Sequence, residues 1–243
     1  ANRADFLEFM EKRVIGHRKP RGMDDFGPPT YQEQAWLSGF ANRRTRVPKG
    51  VFRYRTHEEA NADWDRWRSE EHTSELQSPC NSLFTRPATW SDVLQLARLL
   101  ERYRVRYVLV GGYALAAHGY VRMTQDIDIA VAPTTENAVR WIAALSHLPD
   151  HAAADMAGEE DPFQGDYLHA IRINDEFTVD VLPSVAGVSF EELETHAVAI
   201  EVSGIALRVL DLEGLLLTKQ GVRPKDIADR EILTRALQRI QSK

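Results

Sequence analysis

The chain has 243 residues, 43% of them hydrophobic and 27% charged, with a formal net charge of −6, which suits one ordinary globular domain with extra elements or two small ones. Its apolar runs, such as Tyr107 to Val110 and Leu215 to Leu217, fall far short of the about 18 residues a membrane-spanning helix needs, so no membrane partner is expected. A lone cysteine, Cys80, excludes an internal disulfide and a cysteine-based metal site, and the opening Ala-Asn-Arg-Ala-Asp lacks the basic-then-apolar pattern of a signal peptide, leaving the cytoplasm as the expected address.

Residues 1–67 carry a small excess of Lys and Arg, whereas residues 84–243 are clearly acidic. An acidic domain is not an obvious general nucleic-acid binder, although a local basic stripe can still contact phosphate. A short helix is expected at Asp5 to Val14, followed by a Gly-, Pro- and charge-rich stretch from His17 to Pro29. Thr56 to Trp67 reads as a helix, with Thr56 as N-cap and Glu58 and Glu59 in its first turn. No catalytic constellation stands out here. Arg68 to Ser78 reads Arg-Ser-Glu-Glu-His-Thr-Ser-Glu-Leu-Gln-Ser, which resembles the translation of a sequencing adapter; its composition also fits a polar linker. The adapter reading makes 1–67 an unrelated or accessory segment, 68–83 a junction in which Cys80 is incidental, and 84–243 the functional domain. The region before Trp90 is then expected to be extended or loosely attached, with Leu76 and Leu83 finding no core. A chain beginning near Ser82 should keep full stability and activity.

From Pro87 onward the local signals agree. Ser91 is the expected cap of a helix in which Val93, Leu94, Leu96, Ala97, Leu99 and Leu100 recur at helical spacing, ending near Arg102. A buried strand is expected at Val105 to Val110, a short helix at Tyr113 to Ala117 stopped by Gly119, a strand at Ile127 to Val131, and a helix capped by Thr134 or Thr135. Asp150 to Asp166 should be a surface loop. Two hairpins follow, Leu168 to Ile173 with Phe177 to Leu182 and Ala197 to Val202 with Ile205 to Leu210. Helices at Leu212 to Gln220, capped by Asp211, and from Lys225 to about Ile240, entered through Pro224, close the chain. The order predicts an α+β fold with a sheet covered on one side by helices.

Within this frame, Asp126 and Asp128 alternate with Ile127 and Ile129 on one strand, so both carboxylates point to one face. Two such carboxylates repel unless a divalent cation neutralises them. Mg²⁺ binds through one or two carboxylates and completes its shell with water and substrate phosphate, so the pair implies a phosphorylated ligand. Asp180, between Val179 and Val181 in an apolar strand, is a candidate third carboxylate for two-metal phosphoryl chemistry. The plainer alternatives are an edge strand with its polar side in water, and a lone acid near a hairpin. Gly111-Gly112 permits a tight turn and close approach of backbone to phosphate. Arg122 either braces its loop or contacts phosphate, Thr124 reads as a loop hydrogen-bonder, and His118 as a cap or core residue. The stripe Arg102, Arg104, Arg106 could meet RNA phosphate or form a solvated face.

The segment Gly111-Gly112, short helix, Arg122-Met-Thr-Gln-Asp126-Ile-Asp128 resembles the nucleotidyltransferase-fold (polymerase beta-like) superfamily, and most closely its minimal bacterial toxin-antitoxin members of the abortive-infection type. Leu215-Leu-Leu-Thr-Lys219 followed by Arg223-Pro-Lys225-Asp226-Ile-Ala-Asp229 is similar to the C-terminal signature of the same group. The resemblance covers about residues 90–235. It implies a mixed sheet covered by helices, preceded by a loosely structured N-terminal segment. Asp126, Asp128 and Asp180 would be the catalytic and metal-binding residues. Gly111, Gly112, Arg122, Lys219, Asp226 and Asp229 would bind the nucleotide, with Lys219 on the triphosphate and Asp226 and Asp229 organising Lys219 or approaching the site themselves; a solvated charged helix face is the plainer alternative for Lys225, Asp226 and Asp229. The implied cofactor is Mg²⁺, with Mn²⁺ as a substitute, and the substrate a nucleoside triphosphate. The implied acceptors are a tRNA 3′ end or a tyrosine of a partner protein, within a pair with a cognate toxin or antitoxin. A non-catalytic nucleotide-binding or partner-binding component of such a pair is the alternative.

Overall fold

The computed structural model describes residues 47–70, 84–164, 169–221 and 223–242. The expected helix at Asp5 to Val14, residues 71–78 of the adapter-like stretch, and Leu76, Cys80 and Leu83 lie outside them.

In chain order the elements are β1 (Gly50–Tyr54), α1 (His57–Glu70), α2 (Trp90–Arg102), β2 (Tyr107–Val110), α3 (Gly111–Ala117), β3 (Asp126–Val131), α4 (Thr135–Leu145), a 3₁₀ turn (Ala152–Met156), β4 (Ala170–Asn174), β5 (Thr178–Leu182), the short pair β6 (Ser184–Val185) and β7 (Val188–Ser189), α5 (Phe190–Thr195), β8 (Ala197–Val202), β9 (Ile205–Leu210), α6 (Leu212–Leu217) and α7 (Pro224–Gln241). Seven strands form one sheet in the order β1-β4-β5-β3-β2-β9-β8. It is mixed: β3 runs parallel to β5 and β2 parallel to β9, while the other pairs are antiparallel.

The central strands are buried on both sides. Val108, Ile127, Ile129, Val179 and Val209 are all 0% exposed, as a strand between helical layers requires. Helix α2 starts at Trp90 rather than after Ser91, because Thr89 and Asp92 close a capping box in which each side chain satisfies the other's backbone N–H. Its apolar stripe Val93, Leu96, Ala97 and Leu100 joins the central core with Leu109, Ile127 and Ile129. The two hairpins form as the pattern predicts, with Ser203 (φ 51) and Gly204 (φ 76) both left-handed in the β8–β9 turn.

Helices flank the sheet on both faces, not one. Arg172 on β4 stands in register with Asp180 on β5 and so shares its face, and there it donates to the carbonyl of Ala60 on α1. The second face is covered because Ala60, Trp64 and Trp67 recur at helical spacing on α1 and present an apolar and aromatic stripe.

The expectation that everything before Trp90 is extended or loosely attached fails for residues 47–70. Strand β1 pairs with β4 over five residues, Gly50↔Asn174 to Tyr54↔Ala170. Val47, Trp64 and Trp67 are buried together with Phe52 packed on them, and Tyr54 and Ala60 are buried with Ala170. Ion pairs Lys49–Asp150 (2.6 Å) and Arg53–Glu159 (2.5 Å) tie the segment to the loop after α4. The strand escapes the sequence pattern because it is only five residues long, and its pairing partner lies more than a hundred residues away.

Candidate active site

The parallel pairing of β3 and β5 puts Asp128 directly opposite Asp180, and Asp126 opposite Thr178. Asp126, Asp128 and Asp180 each offer an oxygen, and these oxygens all lie within 4.8 Å of one another. Strand periodicity brings Asp126 and Asp128 to one face; only the tertiary register adds Asp180.

Gly111 shapes one wall. It ends the strand-to-helix turn with φ +66, and a Cβ built there would lie 2.0 Å from Asp128 Oδ2, so the Asp128 carboxylate occupies space that only glycine leaves open. A Cβ on Gly112 would lie 2.7 Å from the Thr124 side chain. Thr124 Oγ1 in turn donates to Asp126 Oδ1 at 3.0 Å. The Gly-Gly pair and Thr124 are thus pressed against the two β3 carboxylates.

The surrounding charge is unbalanced at Asp128. Burial, followed by the neighbouring Asp126 and Asp180 charges, pushes its carboxyl up to about 7, against the opposing pull of Lys219 and Lys225. An all-oxygen donor set whose members repel in this way fits a hard divalent cation, which would relieve the repulsion and favour the ionised form of Asp128.

The C-terminal segment forms a second charged layer. Lys219, 6% exposed, places Nζ 3.2 Å from Asp229 Oδ2 and 3.8 Å from Asp226 Oδ1. Arg122 Nε donates to Asp229 Oδ1 at 3.1 Å, and Nη1 donates to the Met123 carbonyl, so Arg122 ties the loop before β3 to α7. Arg223 Nε pairs with Asp226 Oδ2 at 2.6 Å. Burial opposes the Asp226 charge, but Arg223 first, then Lys219 and Lys225, hold its carboxyl below the usual range. Asp226 and Asp229 therefore stand with Lys219 rather than in the carboxylate trio.

Several residues near the trio fall outside the set of site residues read from the sequence. Lys225 acts electrostatically on both Asp126 and Asp128. His57 on α1 and His169 before β4 stack edge to face, with ring centroids 5.3 Å apart. Burial, then Arg223, His169 and Lys225, push His57 down to about 4. Arg172 binds Asp180 directly. A hydrophobic pattern reveals none of these, because each acquires its place through a partner distant in the chain. His118 is a helix-end residue whose Nε2 hydrogen-bonds the Leu210 carbonyl. From the arginine stripe, Arg106 is occupied by Glu194 at 2.5 Å.

No family model matches the chain, and no curated protein matches it. Among solved structures, TM1012 of Thermotoga maritima, assigned as a nucleotidyltransferase, is 17% identical with a TM-score of 0.40, covering 60% of this chain and 89% of its own. The lincosamide antibiotic adenylyltransferase LnuA, solved with lincomycin bound, is 15% identical with a TM-score of 0.43, covering 62% of this chain and 99% of its own. ANT(2″)-Ia, solved in complex with adenylyl-2″-tobramycin, is 15% identical with a TM-score of 0.41, covering 60% and 88%. These are distant likenesses.

Proposed function

We propose that this protein is a nucleotidyltransferase. In the reaction an acceptor oxygen attacks the α-phosphorus of a nucleoside triphosphate. A new P–O bond forms to the acceptor, the bond from the α-phosphorus to the bridging oxygen of the β-phosphate breaks, and pyrophosphate leaves. The observation that carries this reading is the convergence of Asp126, Asp128 and Asp180 within 4.8 Å against a Gly111 whose Cα leaves room only for the Asp128 carboxylate.

A divalent cation, Mg²⁺ or Mn²⁺, would supply charge neutralisation and polarisation of the α-phosphate when bound by Asp126 and Asp128. The chain's own residues supply position and charge. Asp126 is fixed by Thr124, and Asp180, opposite Asp128, would accept a hydrogen bond from the acceptor hydroxyl, whose proton passes on to solvent. Gly111 and Gly112 let the backbone come close to phosphate. Lys219 and Lys225 both act on Asp128 and would balance the triphosphate, with Asp226 and Asp229 orienting Lys219. Following the resemblance of the Gly-Gly and Asp-x-Asp segments, the acceptor is a tRNA 3′ end or a protein tyrosine, and the setting a toxin-antitoxin pair.

The test is incubation of the full chain with each of four labelled nucleoside triphosphates, Mg²⁺, and either total tRNA or cell lysate, reading product mass. Label on an acceptor that disappears in the Asp128→Asn protein supports the reading. Nucleotide binding without any transfer would favour a binding component instead.

A further inference from the structure

Arg172 and Asp180 face each other across β4 and β5. Arg172 Nε donates to Asp180 Oδ1 and Nη2 to Oδ2, both at 2.8 Å, which is the parallel fork that guanidinium and carboxylate form best. The remaining arm, Nη1, donates to the Ala60 carbonyl at 3.2 Å. The guanidinium carbon lies 5.1 Å from the Tyr54 ring centroid and 4.8 Å from that of Trp64, both within cation–π range. Arg172 is 3% exposed. Burial works against its charge, but the Asp180 carboxylate outweighs burial and holds it protonated more firmly than usual. The cation is enclosed, and three of its neighbours, Tyr54, Ala60 and Trp64, come from β1 and α1.

Two-metal phosphoryl chemistry asks the third carboxylate to ligate a second cation. Here both oxygens of that carboxylate already serve a cation that no accessible pH discharges. A metal ion beside Asp180 would also sit next to a fixed like charge in a partly dry site. We propose that Arg172 is the fixed counter-ion of Asp180 and occupies the role of a second cation, so that the site takes one divalent ion, on Asp126 and Asp128, while Tyr54 and Trp64 hold Arg172 in place. This rests on the nucleotidyltransferase reading for the metal pair alone. Arg172 is thus a positioning residue, and residues before the junction at 68–83 help build the site.

The experiment is titration of the full chain with Mn²⁺ in the absence of nucleotide, by calorimetry and by the electron paramagnetic resonance signal of free ion, with thermal unfolding of each variant as a folding check. The wild-type chain should bind one ion. Arg172→Met should bind a second ion, or bind the first about tenfold more tightly, because a nearby positive charge is gone. Arg172→Lys should restore the single weaker ion, and Asp180→Asn should still bind one ion, more weakly, because Arg172 is then left unopposed. Two ions on the wild-type chain, or a folded Arg172→Met protein with unchanged count and affinity, would overturn the proposal; should that variant not fold, the wild-type count and Asp180→Asn decide. Mn²⁺ binding that survives Asp128→Asn would instead remove the metal pair itself, a failure of the functional reading that these outcomes separate from a failure of the Arg172 proposal.

Discussion

At Gly111 the left-handed backbone and the 2.0 Å approach to Asp128 Oδ2 act together. Gly111→Ala is expected to cost about 1–3 kcal/mol of stability through the positive φ and to displace the carboxylate, so that divalent-ion binding weakens more than unfolding alone explains. Calorimetry beside thermal unfolding checks both. Relief of repulsion works the other way: Asp128→Asn should raise the metal-free Tm by about 2–6 °C while transfer collapses, and a fall in Tm would point to a structural role instead. His57 offers a pH test. Its folded pKa of about 4 lies below the ordinary 6.5, so between those values the unfolded chain binds a proton that the folded chain refuses. That stability is complete above about pH 6.5 and is lost as pH falls towards 4. The neighbours that enforce it are Arg223, His169 and Lys225, with Asp226 opposing. His57→Asn should reduce the loss between about pH 7.5 and about pH 5 by about 1 kcal/mol, after allowance for solvent screening. Urea unfolding at the two pH values measures the difference; an equal loss in variant and wild type removes His57 as the cause.

Among the elements, the α6–α7 junction sets apart Lys219, which the motif assigns to the triphosphate, and Lys225, which it leaves unassigned. Lys219 is enclosed by Asp226 and Asp229, so removing it leaves these buried carboxylates with one arginine each, Arg223 and Arg122. Lys219→Met should therefore cost about 1–3 kcal/mol of stability, a structural loss added to the weaker triphosphate binding expected from the motif. Lys225 stands at the first turn of α7 with its charge acting on Asp126 and Asp128 and is exposed. Lys225→Met should weaken triphosphate binding about tenfold with Tm nearly unchanged, since an exposed side chain contributes little to stability. Equal affinity for a labelled triphosphate in the Lys225→Met and wild-type proteins would show that this lysine has no part in the site. Element ends were legible where a cap names itself: Asp211 caps α6 and Thr134 caps α4, each accepting from the backbone three residues on. Helix α2 began early because Thr89, not Ser91, has Asp92 at the third helical position to complete the box.

Across the whole molecule, residues 47–70 are joined to the sheet by β1–β4 pairing and aromatic burial, and to the residue that precedes α7 by the Arg223–Asn61 hydrogen bond at 3.3 Å. A chain beginning at Ser82 is therefore expected to lose stability, against the expectation from the junction sequence: β4 becomes an exposed edge and Arg172 loses Tyr54, Ala60 and Trp64. Thermal unfolding of the truncated and full chains decides it, and equal Tm values would show that the segment is dispensable. The sequence by itself determined the mixed α and β order, the hairpins and the shared face of Asp126 and Asp128, because these follow from local periodicity, turn chemistry and caps. Only the tertiary structure decided that Asp180 stands opposite Asp128, that Arg172 grips it, that Lys219 is enclosed and that β1 completes the sheet. Strand order, parallel register and the pairing of buried charges depend on contacts between residues far apart in the chain, which no local pattern encodes.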